Sequence, residues 1–143
     1  MNRKQRHLGR ELALSWLYQI DVAATPPEEA LAEIPDDIEG VEDEGADFAR
    51  QLVRGVLADQ ARLDAGIAKY ARGWSLSRMA AVERNVLRLA LYEILDVPDI
   101  PTSVSVDEAV EVAKRYGAEE SGKFVNGILG AFIRGELQPP ATA

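Results

Sequence analysis

Arg3, Lys4, Arg6, His7 and Arg10 form the densest group of side chains in the sequence that could do chemistry. Arg3, Arg6 and Arg10 recur at i, i+3 and i+7, so a helix places them on one face, with Lys4 and His7 at its edge. Cations at a helix N-terminus oppose the macrodipole at roughly a few tenths of a kcal/mol each, so a structural role explains them poorly. Phosphate binding explains them better, because clustered Arg and Lys neutralise phosphates and guanidinium groups stack on unpaired bases. A frayed, solvated terminus is the competing reading, and spacing alone does not separate the two.

A second group lies near the other end. Gly117 to Phe124 superficially matches the phosphate loop GxxxxGK[ST]. Phe124 stands where the magnesium-binding hydroxyl belongs, Glu119 and Glu120 would face the phosphates, and a helix rather than a strand precedes the loop, so the match fails on chemistry. The better reading is a Gly-ended turn between helices, with Lys123 and Phe124 in the first turns of the second. That pair can hold an RNA base, or Phe124 can sit in the core with Lys123 in water. Between these groups, Glu83, Arg84, Arg88 and Tyr92 mark the polar side of an apolar helix, either a partner surface or an ordinary wet face.

Nothing in the sequence supports catalysis. His7 is the single histidine, so a serine-type triad would have to use it within the terminal segment. Glu42, Asp43, Glu44 and Asp47 lack the alternation, central glycine and final glutamate of a calcium loop and read as solvated acids. There is no cysteine, which excludes disulfides, thiolate metal sites and cysteine nucleophiles. No metal and no cofactor is expected.

The elements that must position these residues read as helices throughout. Leu8, Leu12, Trp16 and Ile20 keep helical spacing from about Arg6 to Val22. Thr25-Pro26-Pro27-Glu28-Glu29 starts a short second helix that ends before Pro35, and Asp36 to Glu44 reads as a solvated loop. Gly45 to Tyr70 is helical with a split near Asp59. Ser75 or Ser77 caps a central helix carrying Val82, Val86, Leu89, Ala90 and Ile94, which Val97 to Pro101 ends. Ser105 and Glu108 suggest a capping box for a helix reaching Tyr116, with Gly117 as its left-handed C-terminal residue. A last helix runs from about Glu119 to Arg134. Trp16 and Trp74 are read as core residues. Residues 1–137 form one domain in this reading, and 138–143, with two prolines, a disordered tail.

Hydrophobic residues make up 47% and charged residues 28% of the 143, an ordinary globular composition. The basic terminus runs into a mixed stretch with Glu11, Ser15 and Gln19, so neither a signal peptide nor a membrane span is expected, and the cytoplasm is the default location. The net charge of −8 is unevenly spread. The four cations Arg3, Lys4, Arg6 and Arg10 are followed by twelve acids without one Lys or Arg: Glu11, Asp21, Glu28, Glu29, Glu33, Asp36, Asp37, Glu39, Glu42, Asp43, Glu44 and Asp47. Such a molecule repels nucleic acid at long range, so RNA binding must be local, while a basic protein partner is favoured.

Four segments in order resemble the NusB family: Arg10 to Leu14 through Leu17-Tyr18-Gln19, Val82 to Ala90, Asp107 to Lys114, and Phe124 to Leu129, where Lys123-Phe124-Val125-Asn126-Gly127 after Gly117-Ala118-Glu119 is the most specific. The resemblance implies an all-α fold of about seven helices in two small packed bundles. It also implies a non-enzymatic transcription antitermination factor that binds boxA RNA together with the ribosomal protein NusE, alongside other Nus factors and RNA polymerase, in support of ribosomal RNA transcription. Carried onto this chain, Arg6 and Arg10 match the arginine-rich motif, and Glu120, Lys123 and Phe124 the RNA-contacting region near the last helix. Tyr18, Glu83 and Arg88 match the protein interface. His7 and Leu8 stand where the family often has further basic residues, which thins the patch. Asp107 and Gly130 also depart from the commoner asparagine and aspartate. Two other readings stay open: a homodimer that masks or has lost RNA binding, and the RNA-binding domain of a ribosomal RNA methyltransferase.

Overall fold

The computed structural model describes residues 1–138, so the expected tail beyond Gln138 lies outside the described residues. Among the described residues there are seven α-helices: α1 (Arg3–Val22), α2 (Pro27–Leu31), α3 (Asp43–Ala58), α4 (Gln60–Tyr70), α5 (Ala81–Asp96), α6 (Thr102–Tyr116) and α7 (Ser121–Phe132). A 3₁₀ turn at Leu76–Arg78 precedes α5, and one π turn at Ile133–Leu137 follows α7. No strand occurs among the described residues.

The starting points of these helices follow from their caps. Asn2 Oδ1 accepts the Gln5 N–H at 2.9 Å, so α1 begins three residues before the expected Arg6 and takes Arg3 and Lys4 into its first turn. Asp43 and Glu44 open α3 on the favourable side of the dipole, and the chain breaks at Asp59 as expected. Neither Ser75 nor Ser77 caps α5, whose preceding residue is Ala80; the two serines flank and enter the 3₁₀ turn instead. The expected Ser105–Glu108 capping box does not form. α6 starts a turn earlier, after Pro101, because proline suits that boundary and leaves Ser105 free to point inward.

Helices α1, α2 and α3 pack together, α4, α6 and α7 gather around α5, and α5 also lies against α1 and α3. This is the expected pair of small bundles, joined through one shared helix. The central position of α5 shows in its burial: Asn85, Val86, Leu87, Arg88, Leu89, Ala90, Leu91 and Glu93 are all enclosed, so it is covered on every side. Leu12 and Trp16 of α1, Leu52 and Val56 of α3, and Leu63 and Ile67 of α4 complete the cluster with no measurable exposure. α1 and α3 cross closely at glycine. A Cβ on Gly9 would stand 2.8 Å from the Gly45 carbonyl oxygen.

The acidic segment between α2 and α3 keeps its acids exposed, as expected of a solvated loop, while its backbone is held down. Buried Gln5 donates to the Gly40 carbonyl at 3.0 Å and accepts from the Glu42 N–H at 2.8 Å, while Ile38 inserts into the core.

Candidate nucleic-acid interface

The five N-terminal residues divide along α1. Arg3 and Lys4 are exposed and Arg6 is half-buried, its Nε enclosed without a hydrogen-bond partner. His7 instead turns onto α6, with Nδ1 2.7 Å from Glu108 Oε2 and Nε2 3.4 Å from Glu11 Oε1. Arg10 is 4% exposed. Its Nε and Nη2 donate to the two Glu93 oxygens at 2.9 and 2.8 Å, beneath the Phe48 ring. With Nη1 facing Glu108 Oε2 at 3.9 Å as well, this guanidinium is spent on carboxylates of α5 and α6 and ties α1 to both. The shared face of Arg3, Arg6 and Arg10 exists, but its C-terminal end is covered by α5 and α6.

At the start of α7, Ser121 is buried, accepts the Ala118 N–H at 3.0 Å and donates to Glu83 Oε2 at 2.8 Å. That bond fixes the turn onto the first turn of α5 and leaves Lys123 pointing into solvent at 86% exposure, 3.8 Å from Glu120. Phe124 is half-buried against the core and meets Trp74 edge-on, with ring centroids 5.9 Å apart. Gly117 is not left-handed as expected; its φ of −100° and ψ of −163° are extended. Glycine is required there by close approach, since a Cβ would lie 2.6 Å from Ser121 Oγ and 2.7 Å from the Ala113 carbonyl.

Most of the residues expected at the protein interface are engaged within the chain, Arg88 buried and Glu83, Arg84 and Tyr92 half-buried. Arg88 donates to both Asp64 oxygens at 2.7 and 3.0 Å and to Asn85 at 3.1 Å. Arg84 donates to Asp21 at 2.8 Å and to the Leu76 and Met79 carbonyls. Burial raises the Asp21 carboxyl, but hydrogen bonds from Asn85 and Arg84 and the charges of Arg84 and Arg88 outweigh it and hold Asp21 below its ordinary value. The Tyr92 ring fills the space over Gly55, where a Cβ would collide with it. Glu83 is engaged by Ser121. Tyr18 alone keeps an open aspect: it is 43% exposed and lines a groove of about 320 Å³ with Glu11, Asp37, Ile38, Val82 and Tyr116.

The two surface groups lie toward opposite ends of α1. Asp21 pairs with Arg84, next in sequence to Glu83, so α7 begins near the C-terminal end of α1. At 1.5 Å per residue, that point is roughly 25 Å along α1 from Arg3. The last turn of α6 lies between them. Arg115 is 63% exposed and reaches Glu11 at 3.2 Å, and the Lys114 stem lies against Gly122. Sequence reasoning missed both residues, although two cations ending a helix before a glycine turn were visible as a signal.

The NusB family model matches residues 7–134. The chain belongs to the NusB family. It is 50% identical to the transcription antitermination protein NusB of Symbiobacterium thermophilum, covering 91% of this chain and 90% of that protein. It is 48% identical to NusB of Pelotomaculum thermopropionicum, over 93% and 90%. The solved T. maritima NusB superposes with a TM-score of 0.82 at 41% identity, covering 91% of each chain. A chain in a crystal structure of antitermination factors NusB and NusE in complex with dsRNA matches with a TM-score of 0.82 at 28% identity, over 93% of this chain and 98% of that one. The family membership agrees with an all-α, non-enzymatic chain. No group of three or more His, Asp or Glu among the described residues could hold a metal, and no helix among them is long and apolar enough to cross a membrane.

Proposed function

We propose that this chain is a transcription antitermination factor that binds boxA-type RNA jointly with the ribosomal protein NusE, acting in the cytoplasm with other Nus factors and RNA polymerase in support of ribosomal RNA transcription. Residues 1–137 act as one unit in this reading. The observation that carries it, within the family, is the placement of exposed cations toward both ends of α1: Arg3 and Lys4 at one, Lys123 beside Phe124 at the other, with Lys114 and Arg115 between. A separation of roughly 25 Å suits a single strand of about seven nucleotides at ~3.4 Å per stacked step. Arg6 borders the track and Glu120 orients Lys123, whereas His7 and Arg10 support it from within. The Tyr18 groove, with Glu11 and Asp37 in its wall, has the charge to receive a basic ribosomal protein.

The test is fluorescence anisotropy of a labelled boxA-type RNA titrated with the protein, alone and with NusE, across salt concentrations. Neutralising three or four phosphates gives a single-strand slope of about −2 to −3, and Arg3→Ala/Lys4→Ala lowers its magnitude by about 1.4. A slope near zero, or no binding in either setting, overturns the reading.

A further inference from the structure

Trp74, expected in the core, is 53% exposed. The chain holds it there by construction. Gly73, at φ +77°, is the left-handed residue of a turn closed by the Trp74 N–H to the Ala71 carbonyl at 2.9 Å. Beyond it, Met79 is buried, and Arg84 Nη1 ties down the Leu76 and Met79 carbonyls at 2.9 and 3.2 Å while Asp21 holds the same guanidinium. The segment is anchored on both sides of the indole without drawing it into the core. Trp74 instead stands in solvent, touching Phe124 at an interplanar angle of 77°.

The charge around the indole indicates its occupant. Arg72 and Arg78 are exposed on either side of Trp74 in the chain, and neither has a carboxylate within salt-bridge distance among the described residues. Lys123 adjoins Phe124 in sequence and is also exposed. An apolar protein segment has no use for three exposed cations so close in sequence to the aromatic pair, but a nucleotide has a π-face for the indole and a phosphate on each side.

We propose that Trp74 is a stacking platform for an unpaired RNA base, with Arg72 and Arg78 taking the flanking phosphates, so that the strand's path continues past Lys123 and Phe124 onto the turn between α4 and α5. This rests on the RNA-binding reading above and extends that site by one arm. Stacking is sequence-tolerant, so the platform adds affinity and register rather than base identity.

The protein supplies its own probe, because its other tryptophan, Trp16, is fully buried. The full chain is titrated with boxA-type RNA, with and without NusE, following tryptophan emission and the anisotropy of labelled RNA together. Quenching is expected in the wild type and not in Trp74→Phe. That variant keeps most of the affinity, whereas Trp74→Ala loses at least about fivefold with the salt slope unchanged. Arg72→Ala/Arg78→Ala lowers the slope instead. Circular dichroism confirms that these surface variants fold. RNA binding that depends on Lys4 but leaves Trp74 emission and Trp74→Ala affinity unaltered overturns the platform and keeps the RNA reading. Emission that responds to NusE and not to RNA overturns it in favour of a protein contact, and no RNA binding by the wild type overturns both.

Discussion

Replacing Arg10 with alanine separates two roles an N-terminal arginine can have. In the folded protein the Arg10 and Glu93 side chains are 5% and 3% exposed and joined by two hydrogen bonds. Arg10→Ala leaves the Glu93 carboxylate buried with Ser105 Oγ, at 3.1 Å, as its remaining side-chain donor. Removing one member of a buried pair costs about 3–5 kcal/mol, because the other charge stays desolvated. For a chain of this size that corresponds to a fall in Tm of about 10–20 °C. Urea unfolding followed by far-ultraviolet circular dichroism measures the loss. The apolar pair Arg10→Met/Glu93→Leu is expected to recover most of it, since no charge then remains buried. RNA affinity of the folded Arg10→Ala chain, measured in the cold, changes by less than about threefold, because the side chain is 4% exposed and its charge is matched by Glu93 inside the fold. A stability loss below about 1 kcal/mol combined with a tenfold fall in RNA affinity would refute this reasoning and return Arg10 to the RNA surface.

Three other consequences follow from the same geometry. Tyr116 donates to Glu11 Oε2 at 2.5 Å, and burial, that bond and the Glu11 charge push its phenol up to about 12. A raised folded-state value means stability that is present below pH ~10 and lost as pH rises toward ~12, so the advantage of wild type over Tyr116→Phe should close in that window. An ultraviolet titration in which Tyr116→Phe removes no late-ionising phenol would contradict it. Asp21 lies on the opposite side of neutrality: its lowered value makes its contribution present above pH ~4 and lost as pH falls through the folded value. Asp21→Asn should therefore cost about 1–2 kcal/mol at neutral pH and almost nothing in strong acid, as read by denaturation at several pH values. Gly9→Ala should destabilise by about 1–3 kcal/mol, because its Cβ would press on the α3 backbone. Exposed Gly127, with nothing within 4 Å of a Cβ, should instead gain about 0.5–1 kcal/mol on the same change; thermal melts of the two variants compare them directly.

The sequence by itself determined the helices and the break at Asp59, because apolar period, prolines and first-turn acids are local signals that act within one or two turns. It also identified the central helix, since the apolar surface of α5 is wide. The motifs near Arg10 and Lys123 were enough to indicate the family. What only the tertiary structure decided was which polar residues remain on the surface. Periodicity assigns Arg10 to a face with Arg3 and Arg6 but cannot say that Glu93, eighty-three positions later, covers one end of that face. Arg84 and Arg88 looked like a wet edge until Asp21 and Asp64 arrived from other helices to neutralise them. Trp74 shows the reverse. An isolated tryptophan is assigned to the core on its apolar area, and only the turn at Gly73 and the clamp by Arg84 decide that this one faces solvent. Local order is written in neighbouring residues, while burial depends on which distant segments come together, and ion pairs between helices leave no periodic trace in the sequence.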